Sequence, residues 1–185
     1  RNGFQILTCL VEKIPTASTC KKIDIKLRQQ AHDYICIYIE QQGFHHQWVA
    51  PVNKVEKRDI LVIRTGSMGR FYDENDKQNW NAQTEPGLCY SSALIKWLDK
   101  MEIPVIAADN LAIERANQVI DGDNYVIPLH GALIRDLGVV LTELYWLDDL
   151  AEASASDGQY TFFFSATPMK MEGGTGSPVN PLVIR

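Results

Sequence analysis

Three short apolar runs, "ILVI" at 60–63, "VIAA" at 105–108 and "VVLT" at 139–142, constrain this chain more than any other feature. Each is short for a helix, and charged residues, Gly or Pro bound each one. A strand with one wet face alternates apolar and polar residues, whereas a strand without alternation is covered on both faces. Between the runs the spacing turns helical. Leu88, Ala93, Leu94, Trp97, Leu98 and Met101 fall on one stripe, and Ala132, Leu133 and Leu137 on another, closed by Gly138 as a C′ residue. The pattern predicts strands near 59–64, 104–109, 139–144 and 160–166, helices near 88–101 and 130–137, and a last short strand at "LVI". "YTFFFSATPM" reads as covered on both sides. Strands alternating with helices give an α/β fold with a mostly buried sheet. At 185 residues, one domain over 1–185 is the expectation.

The first fifty residues resist reading. Residues 31–40 suit a helix ended by Gly43 or a strand equally well. "SMGRFYDENDKQNWNAQTEPG" reads as a long polar loop, a length that points to function in a compact domain.

Charge and composition exclude several classes. A net charge of −5 argues against a nucleic-acid binder, which shows a basic face. No apolar run approaches the roughly 18 residues that cross a bilayer. The N-terminus lacks a signal-peptide pattern and does not begin with Met, which leaves open a processed or partial chain. The four cysteines, Cys9, Cys20, Cys36 and Cys89, form no CxxC pair, so zinc-ribbon and thioredoxin readings fail. Cys36 in "YICIYIE" reads as a buried small hydrophobe. A reducing cytoplasmic compartment is the default, although four cysteines suffice for two bridges.

Among candidate sites, "GGTGSP" lacks the Walker spacing and the Lys-Ser/Thr ending, so a tight loop beside a site is the better reading. His32, His45 and His46 lack the three- or four-residue spacing of a metal-binding helix and read as surface or loop residues. Ser67 follows a strand, but there is no GxSxG elbow and no assignable base. His130 and Glu143 stand apart. A helix of about eight residues rises roughly 12 Å and the following strand retraces it, so the two side chains meet at one end of the sheet. A neutral imidazole and a carboxylate converging there make half of a divalent-metal site. Capping and strand-end roles are the bland alternative for the pair.

At these residues the chain resembles the cyclase family of metal-dependent hydrolases, which includes kynurenine formamidase (arylformamidase) and isatin hydrolase. The segments that carry the resemblance are "VEKRDILVIRTG", "PGLCYSSALIKWLDKMEIPVIAADNLAIE", "LHGALIRDLGVVLTELYWLDDLA" and "YTFFFSATPMKMEGGTGSPVNPLVI", spanning about 52–184. The resemblance implies a swivelling β/β/α fold with a mixed sheet, assembled as a homodimer or homotetramer. It also implies a Zn²⁺ or Mn²⁺ cofactor and hydrolysis of an amide, formamide or lactam in a small-molecule substrate, with no nucleic-acid or membrane partner. His130 falls on the family's late metal-binding histidine and Glu143 on its late carboxylate. Asp109, Thr175 and Ser177 are expected to orient a ligand or to wall the pocket. The family's earlier HxGTHxDxPxH motif is absent, and Gly66-Ser67 stands where many relatives have Gly-Trp. Besides a hydrolase, a non-catalytic pseudoenzyme or a truncated chain acting as a binding subunit therefore stays open.

Overall fold

A computed structural model describes the backbone of strand segments 6–15, 37–38 and 44–48, and residues 55–185 apart from 82 and 84. In chain order the elements are β1 (Ile6–Pro15), β2 (Ile37–Tyr38), β3 (Phe44–Trp48), β4 (Ile60–Arg64), α1 (Ser67–Tyr72), β5 (Gly87–Leu88), α2 (Ser92–Lys100) and β6 (Val105–Ala108). There follow β7 (Asn117–Ile120), β8 (Asp123–Val126), α3 (Pro128–His130), β9 (Val140–Thr142), α4 (Asp148–Asp157), β10 (Phe163–Pro168) and β11 (Val179–Ile184). The central sheet has the order β3-β1-β4-β6-β9; β1, β4, β6 and β9 are parallel and β3 is antiparallel. The fold is α/β with a mixed sheet, the class that the alternating strands and helices of the sequence implied.

Alternation along β4 and β6 splits their residues between two cores. Leu61, Ile63, Ile106 and Ala108 join Leu94, Trp97 and Leu98 of α2 and Leu129 and Leu133 on one face. Val62 and Ala107 meet Tyr145, Leu147 and Phe162 on the other. Burial on both faces explains why these strands lack a polar alternation. α2 starts at Ser91, whose extended backbone and side chain, accepting from the Leu94 amide at 3.1 Å, cap it. Leu88 therefore belongs to β5, outside the helix whose apolar spacing it matches.

Three further expectations need correction. The stretch 67–87 is not a plain loop: it holds α1 and a 3₁₀ turn at Lys77–Asn79. β10 is not covered on both sides: among the described residues it pairs with β11 in a two-stranded ribbon, its burial is partial, and Phe163 is 59% exposed. The helix expected at 130–137 begins earlier, at Pro128, and runs from α3 directly into a π-helical segment, Gly131–Asp136. Gly138 does take the left-handed conformation expected of a C′ residue, at φ 70°. Cys36 and His32 lie outside the described residues, as does most of 31–40. Among the described residues no helix is long and apolar enough to cross a membrane.

Candidate functional site

β9 is the C-terminal edge of the parallel run, and Glu143 is the first residue beyond it. α3 approaches the same end, and His130 Nε2 lies 3.2 Å from Glu143 Oε1. The two side chains picked out by sequence therefore meet. Glu143 is half-buried, 28% exposed, at the strand end and not within a sealed strand. A carboxylate that the sequence did not single out completes the arrangement. Glu114, its side chain fully buried, lies 2.8 Å from His130 Nδ1 through Oε1. The Glu114 carboxylate also accepts from the backbone amides of Leu129 (2.7 Å) and His130 (2.8 Å) and from Gln118 Nε2 (3.0 Å).

The imidazole thus stands between two carboxylates. Burial pushes the carboxyl of Glu143 above its ordinary range, against the pull of His130. Burial likewise raises Glu114, opposed by its hydrogen bonds from His130 and Leu129. Two partly desolvated carboxylates around one ring favour a positive charge among them, either a proton or a metal cation.

Backbone strain collects at the same three residues. Ile113, before Glu114, has φ 57°; Ile127, three before His130, has φ 44°; Leu144, after Glu143, has φ 59°. Positive φ costs a non-glycine residue on the order of 1–3 kcal/mol and persists where the surroundings enforce it, commonly at functional sites. The π-helical turn that follows His130 belongs to the same class of feature.

His130 and Glu143 open onto a cleft of about 890 Å³, whose walls include Thr142, Trp146, Thr175 and Ser177. The loop "GGTGSP" supplies the last two, so it is a structural loop beside the site. Asp109 is elsewhere. Only 1% exposed, it accepts from the Thr65 amide (2.6 Å), Thr65 Oγ1 (2.7 Å) and the Gly66 amide (2.7 Å), and so fixes the turn after β4. Asp109 was expected to orient a ligand or to wall the pocket; the carboxylate in contact with His130 Nδ1 is that of Glu114. The signal for Glu114 was its place in "DNLAIE", an acidic residue among apolar ones directly after a buried strand.

As ligands for a divalent ion, His130 Nε2 and the Glu143 carboxylate fit chemically, with Nδ1 anchored as metal-binding histidines usually are. They are two ligands, and among the described residues no three His, Cys, Asp or Glu side chains are grouped to hold a metal. His45 and His46 occupy consecutive positions of β3, at the far edge of the sheet from β9.

Asp109 gives a prediction with a definite sign. Burial raises its carboxyl above the usual range, while the Thr65 and Gly66 donors pull it back. The folded state then holds this proton more tightly than the unfolded chain. Its contribution is full below about pH 4 and is lost as the pH rises through the raised folded value. Asp109→Asn is neutral throughout and turns an amide NH₂ toward a donor, a cost of about 1–3 kcal/mol. Urea midpoints should show the variant well below wild type near pH 4, with the gap narrowing toward neutrality. A gap that widens would contradict the assignment.

The Cyclase family model ("Putative cyclase") matches residues 11–115. That span begins in the segment hardest to read from sequence and ends one residue past Glu114, before His130. The crystal structure of a novel cyclase is 34% identical, with a TM-score of 0.56, covering 71% of this chain and 41% of that one. The structure of a predicted metal-dependent hydrolase from Bacillus stearothermophilus is 18% identical, with a TM-score of 0.46, covering 70% of this chain and 51% of that one. This chain therefore spans less than two thirds of the length of either. No curated protein matches the sequence significantly.

Proposed function

Because this chain belongs to the cyclase family, we propose that it forms part of a metal-dependent hydrolase of amide, formamide or lactam bonds, with His130 and Glu143 as two ligands of a Zn²⁺ or Mn²⁺ ion. The observation that carries this reading is the 3.2 Å approach of His130 Nε2 to Glu143 beside a cleft, with Nδ1 tied to a buried carboxylate. A divalent metal, when bound, lowers the pKa of its water to near neutrality and polarises a substrate carbonyl. The chain's own residues do the rest. Glu114 keeps the ring of His130 in place. Glu143 supplies negative charge at the floor of the cleft. The hydroxyls of Thr175 and Ser177, on the facing loop, are suited to hydrogen-bond an amide. Among the described residues no third His, Cys, Asp or Glu is grouped with His130 and Glu143 to hold the ion.

A non-catalytic family member is the second reading, favoured by the absence of a third grouped ligand among the described residues. One experiment separates the two. Purified protein is analysed for bound metal and assayed on a formamide and a lactam with added Zn²⁺ or Mn²⁺, alongside Glu143→Gln. The hydrolase reading expects about one metal per chain and turnover that falls at least 100-fold in the variant, the range seen when a catalytic interaction of about 3 kcal/mol is lost. Equal activity in both proteins removes the pair from the catalytic site. Neither metal nor turnover supports the second reading.

A further inference from the structure

We propose that Glu114 is a positioning residue for His130: its buried carboxylate keeps the imidazole proton on Nδ1, so that the Nε2 lone pair is the atom presented to Glu143 and the cleft. This deepens the reading of His130 as a site residue and rests on it.

The helix that carries His130 starts without the usual equipment. Its N-cap is Ile127, which has no side-chain acceptor. Pro128, at the first helical position, has no amide to satisfy. The Leu129 amide is an orphan donor of the helix N-terminus, and the His130 amide has a long 3.3 Å bond to Ile127 O. Glu114, remote in sequence, accepts from both. The same Oε1 that takes the His130 amide lies 2.8 Å from the His130 ring nitrogen Nδ1. Backbone and ring of one histidine are thus clamped by a single oxygen.

A carboxylate that already accepts from three N–H groups is an acceptor toward the fourth partner as well, so Nδ1 must donate. Neutral histidine in water carries its proton mainly on Nε2, and Glu114 reverses that preference. The strained backbone fits this role. Ile113 and Ile127 both sit at positive φ, one delivering Glu114 and the other delivering the helix start. Gln118 Nε2 braces Glu114 from the side away from the ring, donating to Oε2. With Nε2 unprotonated, its lone pair faces the Glu143 carboxylate, and the contact is repulsive unless a proton or a metal cation lies between them.

The test reads protonation of each ring nitrogen by two-bond ¹H–¹⁵N correlation on metal-free protein at about pH 8. The His130 signals are assigned by their loss in His130→Asn. The expected result is Nδ1 protonated in wild type. In Glu114→Gln, whose amide cannot accept from all four donors, Nδ1 should lose its proton. Gln118→Ala loosens the same cluster without touching the ring and should keep the wild-type pattern. A wild-type Nδ1 that is unprotonated overturns the proposal, and this measurement stands even if Glu114→Gln does not fold. So does an Nδ1 that stays protonated in Glu114→Gln, or one that loses its proton in Gln118→Ala. Because no metal is present, the result is independent of whether the chain binds one; a wild-type protein with the expected tautomer but no metal uptake fails only the hydrolase reading.

Discussion

Gly87→Ala should leave little folded protein. An added Cβ would stand 2.4 Å from the carbonyl carbon of Glu114 and 2.6 Å from the amide nitrogen of Arg115. These are backbone atoms, and they are pinned: the Leu88 amide donates to Ile113 O at 3.0 Å and the Arg115 amide donates to Leu88 O at 2.9 Å. A flexible side chain could step aside, but this bridge cannot without giving up both bonds. Overpacking of this kind costs at least about 3 kcal/mol, the top of the usual range, and the stability of a whole domain is only about 5–15 kcal/mol. Expression with a soluble fraction near zero, or a urea midpoint far below wild type, is the expected outcome. A variant as stable as wild type would mean that β5 does not approach Glu114 as described.

Arg70→Ala should destabilise nearly as much, by about 3–5 kcal/mol, the cost of stranding a buried charge. The guanidinium lies 3.0 Å from Glu85 Oε1 and 2.9 Å from Asp76 Oδ2, and the Glu85 side chain is 1% exposed. Burial already raises the carboxyl of Glu85, and Arg70 is the leading influence that lowers it. Without Arg70 the carboxyl must rise further. A carboxyl raised in the folded state stabilises at low pH and loses that contribution as the pH rises, so the damage should be mild near pH 5 and large near pH 8. Arg70→Ala combined with Glu85→Gln should recover much of the loss. Urea titrations of the single and double variants at both pH values test this directly. A single variant equally damaged at both would show that Glu85 is not the stranded group.

Arg70, Asp76 and Glu85 belong to a stretch that reads as a polar loop, and the reason is physical. Composition registers charge but not which charges pair, and this segment is ordered by an ion network and by Trp80 Nε1 donating to Ser67 Oγ at 2.8 Å. The strands at 60–64 and 105–108 were legible because two-sided burial leaves an uninterrupted apolar run. β7 and β8 were missed despite a usable signal. Their turn is Asp121-Gly122, with φ of 53° and 93°, the pair that a tight hairpin requires; the flanking strands are too exposed to show an apolar pattern. α4 was missed because only Ala151 and Ser154 of its ten residues are buried. At the site, helix-and-return spacing was enough to bring His130 to Glu143. Glu114 arrives by a left-handed turn at Ile113, a conformation that no propensity assigns to isoleucine.

The hairpin of β7 and β8 lies largely on the surface, whereas β4 and β6 are enclosed on both faces. Segments with few buried contacts open independently of the rest, while enclosed strands open only when the whole domain does. Glu114 and Gln118 lie between these regimes, one bridged to β5 and the other within the hairpin. Opening of the arm alone would withdraw the brace from Glu114 while both cores stay closed. Glu114 stays bridged to Leu88 of β5 and keeps the Leu129 and His130 amides, so the histidine's orientation outlasts the arm, and enclosure by the two cores, not occupancy of the closed arm, limits how much of the population is competent at any instant.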